Sequence, residues 1–87
     1  MSGKDKLYHR IMTGPIPTDV TYKEIRGFLI QNGFIEMGDA KLSHHIFRHT
    51  GSRYHINIPA HSEGDMIKRA YISNVRKIVM LIENKGA

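Results

Sequence analysis

The chain carries six histidines, and five of them, His44, His45, His49, His55 and His61, fall between positions 44 and 61; only His9 stands apart. Imidazole has an ordinary pKa of about 6.5, so a histidine can take a proton and return it at neutral pH. RNA brings its own nucleophile, the 2′-hydroxyl. Cleaving it therefore needs a base for that hydroxyl, cations for the phosphate, and correct positioning. The run Ser43-His44-His45-Ile46-Phe47-Arg48-His49 offers these parts without a metal. His44 would move the proton, and Arg48 or Arg53 would hold phosphate.

A metal site is a second use for clustered histidines. His45 and His49 share one face of a strand but stand about 13 Å apart, at roughly 3.3 Å per residue. Ligands that each sit about 2.0–2.1 Å from one zinc cannot be so widely separated. His44 and His55 could meet across neighbouring strands, yet two imidazoles with no carboxylate or thiolate make a poor site. No metal is expected. The plainest alternative is that these are ordinary strand histidines, hydrogen-bonded or solvated. It is the preferred reading for His49, beside a turn, and it stays open for His45. His61, just past Pro59, either belongs to a loop or folds back over the site. Tyr54 and Phe47 are read as core residues rather than base-stacking platforms.

The elements that must position these groups follow from spacing. Lys4 to Met12 reads as a short helix, because Leu7 and Ile11, and Tyr8 and Met12, are four apart and form a narrow apolar stripe. Gly14-Pro15 stops it: glycine suits a left-handed C-cap and proline cannot continue a helix. Thr21-Tyr22-Lys23-Glu24 fits a capping box. Tyr22, Ile25, Phe28 and Leu29 then mark the buried face of a second helix, ended by Asn32-Gly33. Phe34 to Met37 reads as a first strand, with turn chemistry at Gly38-Asp39. Ser43 to His49 reads as the second strand and Thr50-Gly51-Ser52 as a hairpin turn. Arg53 to Ile58 alternates polar and apolar and is closed by Pro59. Ala60 to Asp65 reads as a polar loop. Ile72, Val75, Ile78, Val79 and Ile82 stripe the longest helix, with Arg76 and Lys77 turned towards solvent and Lys85-Gly86 fraying its end.

The order α-α-β-β-β-α in so short a chain predicts an α+β domain: one antiparallel sheet with helices packed on one face. Period-two alternation then sorts the side chains. Phe47, Tyr54, Ile56 and Ile58 should face the helices, with His45 and His49 on that inner side near the strand ends. His44, Arg48, Arg53, His55 and Asn57 should share the open face, a compact basic surface. Ile46 falls on the open side by the same parity; if it faced the core instead, the whole assignment would invert.

The chain's 87 residues allow one domain, spanning 1–87. With no cysteine, neither a disulfide nor a thiolate metal site can form. Thirteen Lys and Arg against eight Asp and Glu give a net charge of +5 and a pI near 9.8, which favours a polyanionic partner, nucleic acid before membrane. The charged start Met1-Ser2-Gly3-Lys4-Asp5-Lys6 has no apolar run behind it, so no signal peptide or membrane span is expected, and the protein is expected in the cytoplasm.

The residues also resemble a family. Ser43-His44-His45-Ile46-Phe47-Arg48-His49, followed by a strand ending Ile58-Pro59-Ala60-His61, is similar to the HicA toxins of bacterial toxin–antitoxin systems. Residues 4–14 resemble the additional N-terminal helix of one HicA subgroup. Thr21 to Phe34 resembles the helix and Gly-Phe step before the family's first strand. Residues 67–71 and 75–78 resemble its C-terminal helix. The resemblance covers nearly the whole chain. It implies a fold like that of double-stranded-RNA-binding domains and a metal-independent endoribonuclease acting on mRNA. It also implies a HicB-type antitoxin as partner and no small-molecule cofactor. The family's motif is Gly-Ser-His-His with the first histidine catalytic, which is His44 here, flanked by Ser43 and His45. With Arg48, Arg53 and Lys41, those two flanking residues complete the expected RNA-binding set. Leu42 stands where the family usually has glycine, Ala70 where proline is frequent, and Ile72 where glutamine is frequent. A different class of function stays open, a non-catalytic RNA-binding module that uses the same basic sheet face. A third would be an interaction protein whose basic face serves only an acidic partner.

Overall fold

The computed structural model describes residues 3–37 and 44–86, which form three helices and a three-stranded antiparallel sheet, an α+β arrangement in the expected order. The elements are α1 (Gly3–Met12), α2 (Tyr22–Gln31), β1 (Phe34–Met37), β2 (His44–His49), β3 (His55–Pro59) and α3 (Arg69–Gly86). Lys41, Leu42, Ser43 and the expected turn at Gly38-Asp39 lie outside the described residues.

Helix α2 shows how completely the sequence specifies its own start. Thr21 caps it, with Oγ1 accepting from the Glu24 N–H at 3.3 Å while the Glu24 carboxylate accepts from the Thr21 N–H at 3.0 Å. The other amides of the first turn also find acceptors. The Tyr22 N–H donates to the Asp65 carbonyl at 2.8 Å and the Lys23 N–H to the Glu63 carbonyl at 3.0 Å. The segment before α3 therefore covers the N-terminus of α2. The Ile67 N–H donates to the Val20 carbonyl at 2.9 Å, Thr21 and Met66 pair as an isolated bridge, and Ile67 is buried. Asp65 organises this segment by accepting from the His61 and Ser62 amides and the Ser62 hydroxyl.

Helix α1 ends where glycine was expected to end it, with Gly14 at φ +70°. Its last carbonyls reveal a correction. Arg76 does not turn to solvent. Its guanidinium donates to the carbonyls of Ile11 at 2.6 Å, Gly14 at 2.8 Å and Thr13 at 3.0 Å, so a residue of α3 caps α1. Helical periodicity placed Arg76 off the apolar stripe. It could not show that a neighbouring helix end, rich in unsatisfied carbonyls, lies beside it. Helix α3 continues through Gly86.

The sheet runs β1-β2-β3, with Phe34 opposite His49, Phe47 opposite both Glu36 and Ile56, and His45 opposite Ile58. Phe34, Phe47, Ile56 and Ile58 are buried against Ile25, Phe28 and Leu29 of α2 and Ile72, Val75 and Val79 of α3. All four apolar residues expected on α2 are in this core. Strand β3 begins at His55 rather than Arg53. The reason is the turn, which closes where the His49 N–H donates to the Tyr54 carbonyl at 3.0 Å and leaves Arg53 in the loop. Pro59 is the last residue of β3, as befits a residue with no amide hydrogen to give a ladder. Ala60, expected in a polar loop, is buried.

Candidate functional site

Parity divides the sheet as expected. Phe47 is fully buried and Ile46 is 43% exposed, so the open face is the one that carries His44, Ile46 and Arg48. Ile35 and Met37 of β1 and His55, Asn57 and Pro59 of β3 complete it. Its β1 side is apolar, with Ile35, Met37 and Ile46 all well exposed, its β3 side carries His55, Asn57 and Pro59, and Arg48 of β2 is the one Lys or Arg among these strand residues. No carboxylate stands among these eight strand residues. The ion-paired acids among the described residues lie elsewhere: Asp19 and Glu24 beside Arg10, and Glu36 beside Arg26 on the inner side. The open face therefore offers an anion positive charge without a competing acid.

His44 is exposed at the first position of β2. Its cross-strand partner is Pro59, while His55 stands opposite Arg48. His44 and His55 thus do not meet, being offset by four residues, about 13 Å along the strand. The same offset separates His44 from Arg48, and Arg53 lies in the hairpin loop beyond it. The arginines gather at the turn end of the sheet and His44 stands at the other. Among the described residues, no three His, Cys, Asp or Glu side chains converge on a point that could hold a metal ion.

His45, expected as an RNA contact, is engaged inside the protein. Its side chain is only 13% exposed. Its Nδ1 is 3.2 Å from Glu36 Oε2, its Nε2 is 3.1 Å from the Ala60 carbonyl, and its ring lies 4.5 Å from that of Tyr22. Carbonyl and carboxylate oxygens only accept, so whichever ring nitrogen carries the proton is the one that donates. Glu36 also accepts from the Tyr22 hydroxyl and from Arg26 Nε, each at 2.9 Å. The Arg26 donor holds the Glu36 carboxyl below the usual carboxylate range against the upward push of burial, with Tyr22 and His45 adding to the lowering. Burial, and then the hydrogen bond to Glu36, pushes the Tyr22 phenol up. Sequence reading did not single out Glu36, although its parity with Phe34 was the available signal. A carboxylate on the inner side of a strand must find donors.

His49 is a structural residue of the turn. Its Nδ1 accepts from the Gly51 N–H at 3.2 Å and lies 2.9 Å from Ser52 Oγ, which accepts from the Tyr54 N–H at 3.3 Å. Its ring meets Phe34 edge-on at 5.1 Å. His61 is exposed in the loop held by Asp65. That loop borders a groove of about 380 Å³ lined by Pro59, Ala60, His61, Asp65, Met66, Lys68 and Tyr71. Since Pro59 pairs with His44, the groove opens at the His44 end of the sheet. Lys68 and Tyr71 were not expected near the histidines; they precede and begin α3, and only the tertiary fold brings them there. Among the described residues no helix is long and apolar enough to cross a membrane. No family model, curated protein or solved structure matches the chain.

Proposed function

We propose that this protein is a metal-independent endoribonuclease of HicA type, the toxin of a toxin–antitoxin pair, acting on mRNA in the cytoplasm. The observation that carries the reading is His44: an exposed histidine on an open sheet face free of carboxylates, beside a histidine whose nitrogens are both occupied. His44 would take the proton of a 2′-hydroxyl as its oxygen attacks the adjacent phosphorus. The bond from phosphorus to the 5′-oxygen then breaks, that oxygen takes a proton, and a 2′,3′-cyclic phosphate and a 5′-hydroxyl remain. Arg48 and Arg53 would bind phosphates further along the strand. On this reading the architecture is that of a double-stranded-RNA-binding domain, and a HicB-type antitoxin covers the open face, where Ile35, Met37 and Ile46 supply apolar area for it.

The test is incubation of purified protein with RNA and a chelator, beside the His44→Ala variant. Cleavage should persist with the chelator and vanish in the variant, whose melting temperature stays unchanged. Full cleavage by His44→Ala would refute the assignment. The separation of His44 from Arg48 and Arg53 favours one second reading, a module that binds RNA without cutting it. RNA would then bind with strong salt dependence and stay intact.

A further inference from the structure

The groove next to His44 has the composition of a nucleotide subsite. It has the volume of a small-ligand pocket, where such pockets begin at roughly 300 Å³. Its lining is mixed: Tyr71 and Met66 supply an aromatic ring and a polarisable apolar surface, Lys68 a fixed positive charge, and His61 a second nitrogen base. Its carboxylate is already committed, because Asp65 accepts from two amides and the Ser62 hydroxyl, and these donors hold it below the usual carboxylate range. Asp65 stays ionised and offsets Lys68 in charge, but its oxygens are taken by those donors, and Lys68, which makes none of the ion pairs found among the described residues, is left to pair with an anion that carries a flat, stackable group. One lining residue is tied into the core. Ala60 is buried and its carbonyl is held by His45, which Glu36 and Tyr22 hold in turn.

We propose that this groove binds the nucleotide adjoining the cleaved phosphate of a single-stranded RNA, its base against Tyr71 and Met66 and its phosphate on Lys68. The inference rests on the ribonuclease reading and adds to it a substrate class, unpaired rather than duplex RNA. Stacking on an aromatic ring needs an unpaired base, because a paired base keeps its faces covered. It also supplies the cation that Arg48 and Arg53, at the far end of the sheet, are too distant to give. Cross-strand pairing sets His44 and Pro59 about 4.5–5.5 Å apart at Cα, so a nucleotide seated in the groove has its linkage within reach of the His44 imidazole.

The experiment uses the whole protein and a single-stranded 2′-O-methyl RNA octamer, which lacks the attacking hydroxyl and so stays intact. Amide chemical shifts should move at His61, Lys68 and Tyr71 together with His44. Lys68→Ala should lower the slope of log affinity against log salt by about 0.7, the share of one phosphate contact on a single strand. Lys77→Ala, an exposed lysine of α3 outside the groove, should leave the slope unchanged. Shifts confined to Arg48, His55 and Asn57, or an unchanged slope in Lys68→Ala, would overturn the groove assignment. Cleavage of unmodified RNA by the same preparation would then leave the ribonuclease reading standing. No binding and no cleavage would overturn both.

Discussion

The imidazole of His45 and the carboxylate of Glu36 stand 3.2 Å apart on the inner side of the sheet, tying β2 to β1 while the other ring nitrogen ties β2 to Ala60 beyond β3. The two adjacent histidines therefore have separate duties. His45→Ala should lower stability by about 1–3 kcal/mol, the cost of leaving a buried acceptor without its donor. For a domain of this size the melting temperature would fall by several degrees or more. On the proposed ribonuclease reading, cleavage per folded molecule should survive at low temperature. An unchanged melting curve would show that the Ala60 tether contributes nothing.

The same carboxylate sets an acid limit. Glu36 has its folded pKa lowered, so the stability it contributes is present above the ordinary carboxylate pKa and lost as pH falls through the lowered value. Glu36→Gln should be less stable than the parent by about 1 kcal/mol at pH 7. The two melting curves should converge as the solution is made more acid. Asp65 titrates in both proteins and cancels in the comparison. A gap that is constant down through the carboxylate range would exclude a charge effect.

Arg76 caps α1 with three donors in one planar fork. Lysine keeps the charge but cannot present that fork. Arg76→Lys should recover little of the stability lost in Arg76→Ala, which we expect to be about 2 kcal/mol. Thermal melts of the two variants check this, and full recovery by lysine would mean that charge alone holds the helix end.

Gly33 sits at φ +91°, and a Cβ there would lie 3.0 Å from His49 Nε2. Gly33→Ala combines left-handed strain of about 1–2 kcal/mol with a push on the turn histidine. Denaturant titration should show a loss at the upper end of that range or beyond. A loss under about 0.5 kcal/mol would mean that His49 moves freely.

Ile46 gives a direct test of which face is open. At 43% exposure, Ile46→Asp should change stability by no more than about 0.5 kcal/mol, whereas Phe47→Asp should prevent folding. Circular dichroism of both variants decides it.

Much of this was legible in advance, for reasons tied to particular residues. Thr21 and Glu24 advertise a helix start because capping is a local, three-residue interaction. The alternation through His55-Ile56-Asn57-Ile58 fixes which face of β3 is buried, and with Phe47 it fixed the side of Ile46. What failed to show was long-range. Arg76 meets a helix end 65 positions earlier in the chain, Lys68 reaches the His44 end of the sheet only through the fold, and Glu36 gains its partners from α2 and β2. Register was hidden for the same reason. The placement of His44 against Pro59, rather than against His55, depends on a loop whose length alone does not say where the ladder begins.

The cap on α1 has a consequence for the order of events on the ribosome. Ile11 and Arg76 are separated by 65 positions, which takes about 3 to 13 seconds to synthesise at roughly 5–20 residues per second. Throughout that interval α1 must leave its terminal carbonyls to water. Helix α1 is thus secured only after Arg76 of α3 has been made, and a nascent chain paused before Arg76 should expose α1 to protease.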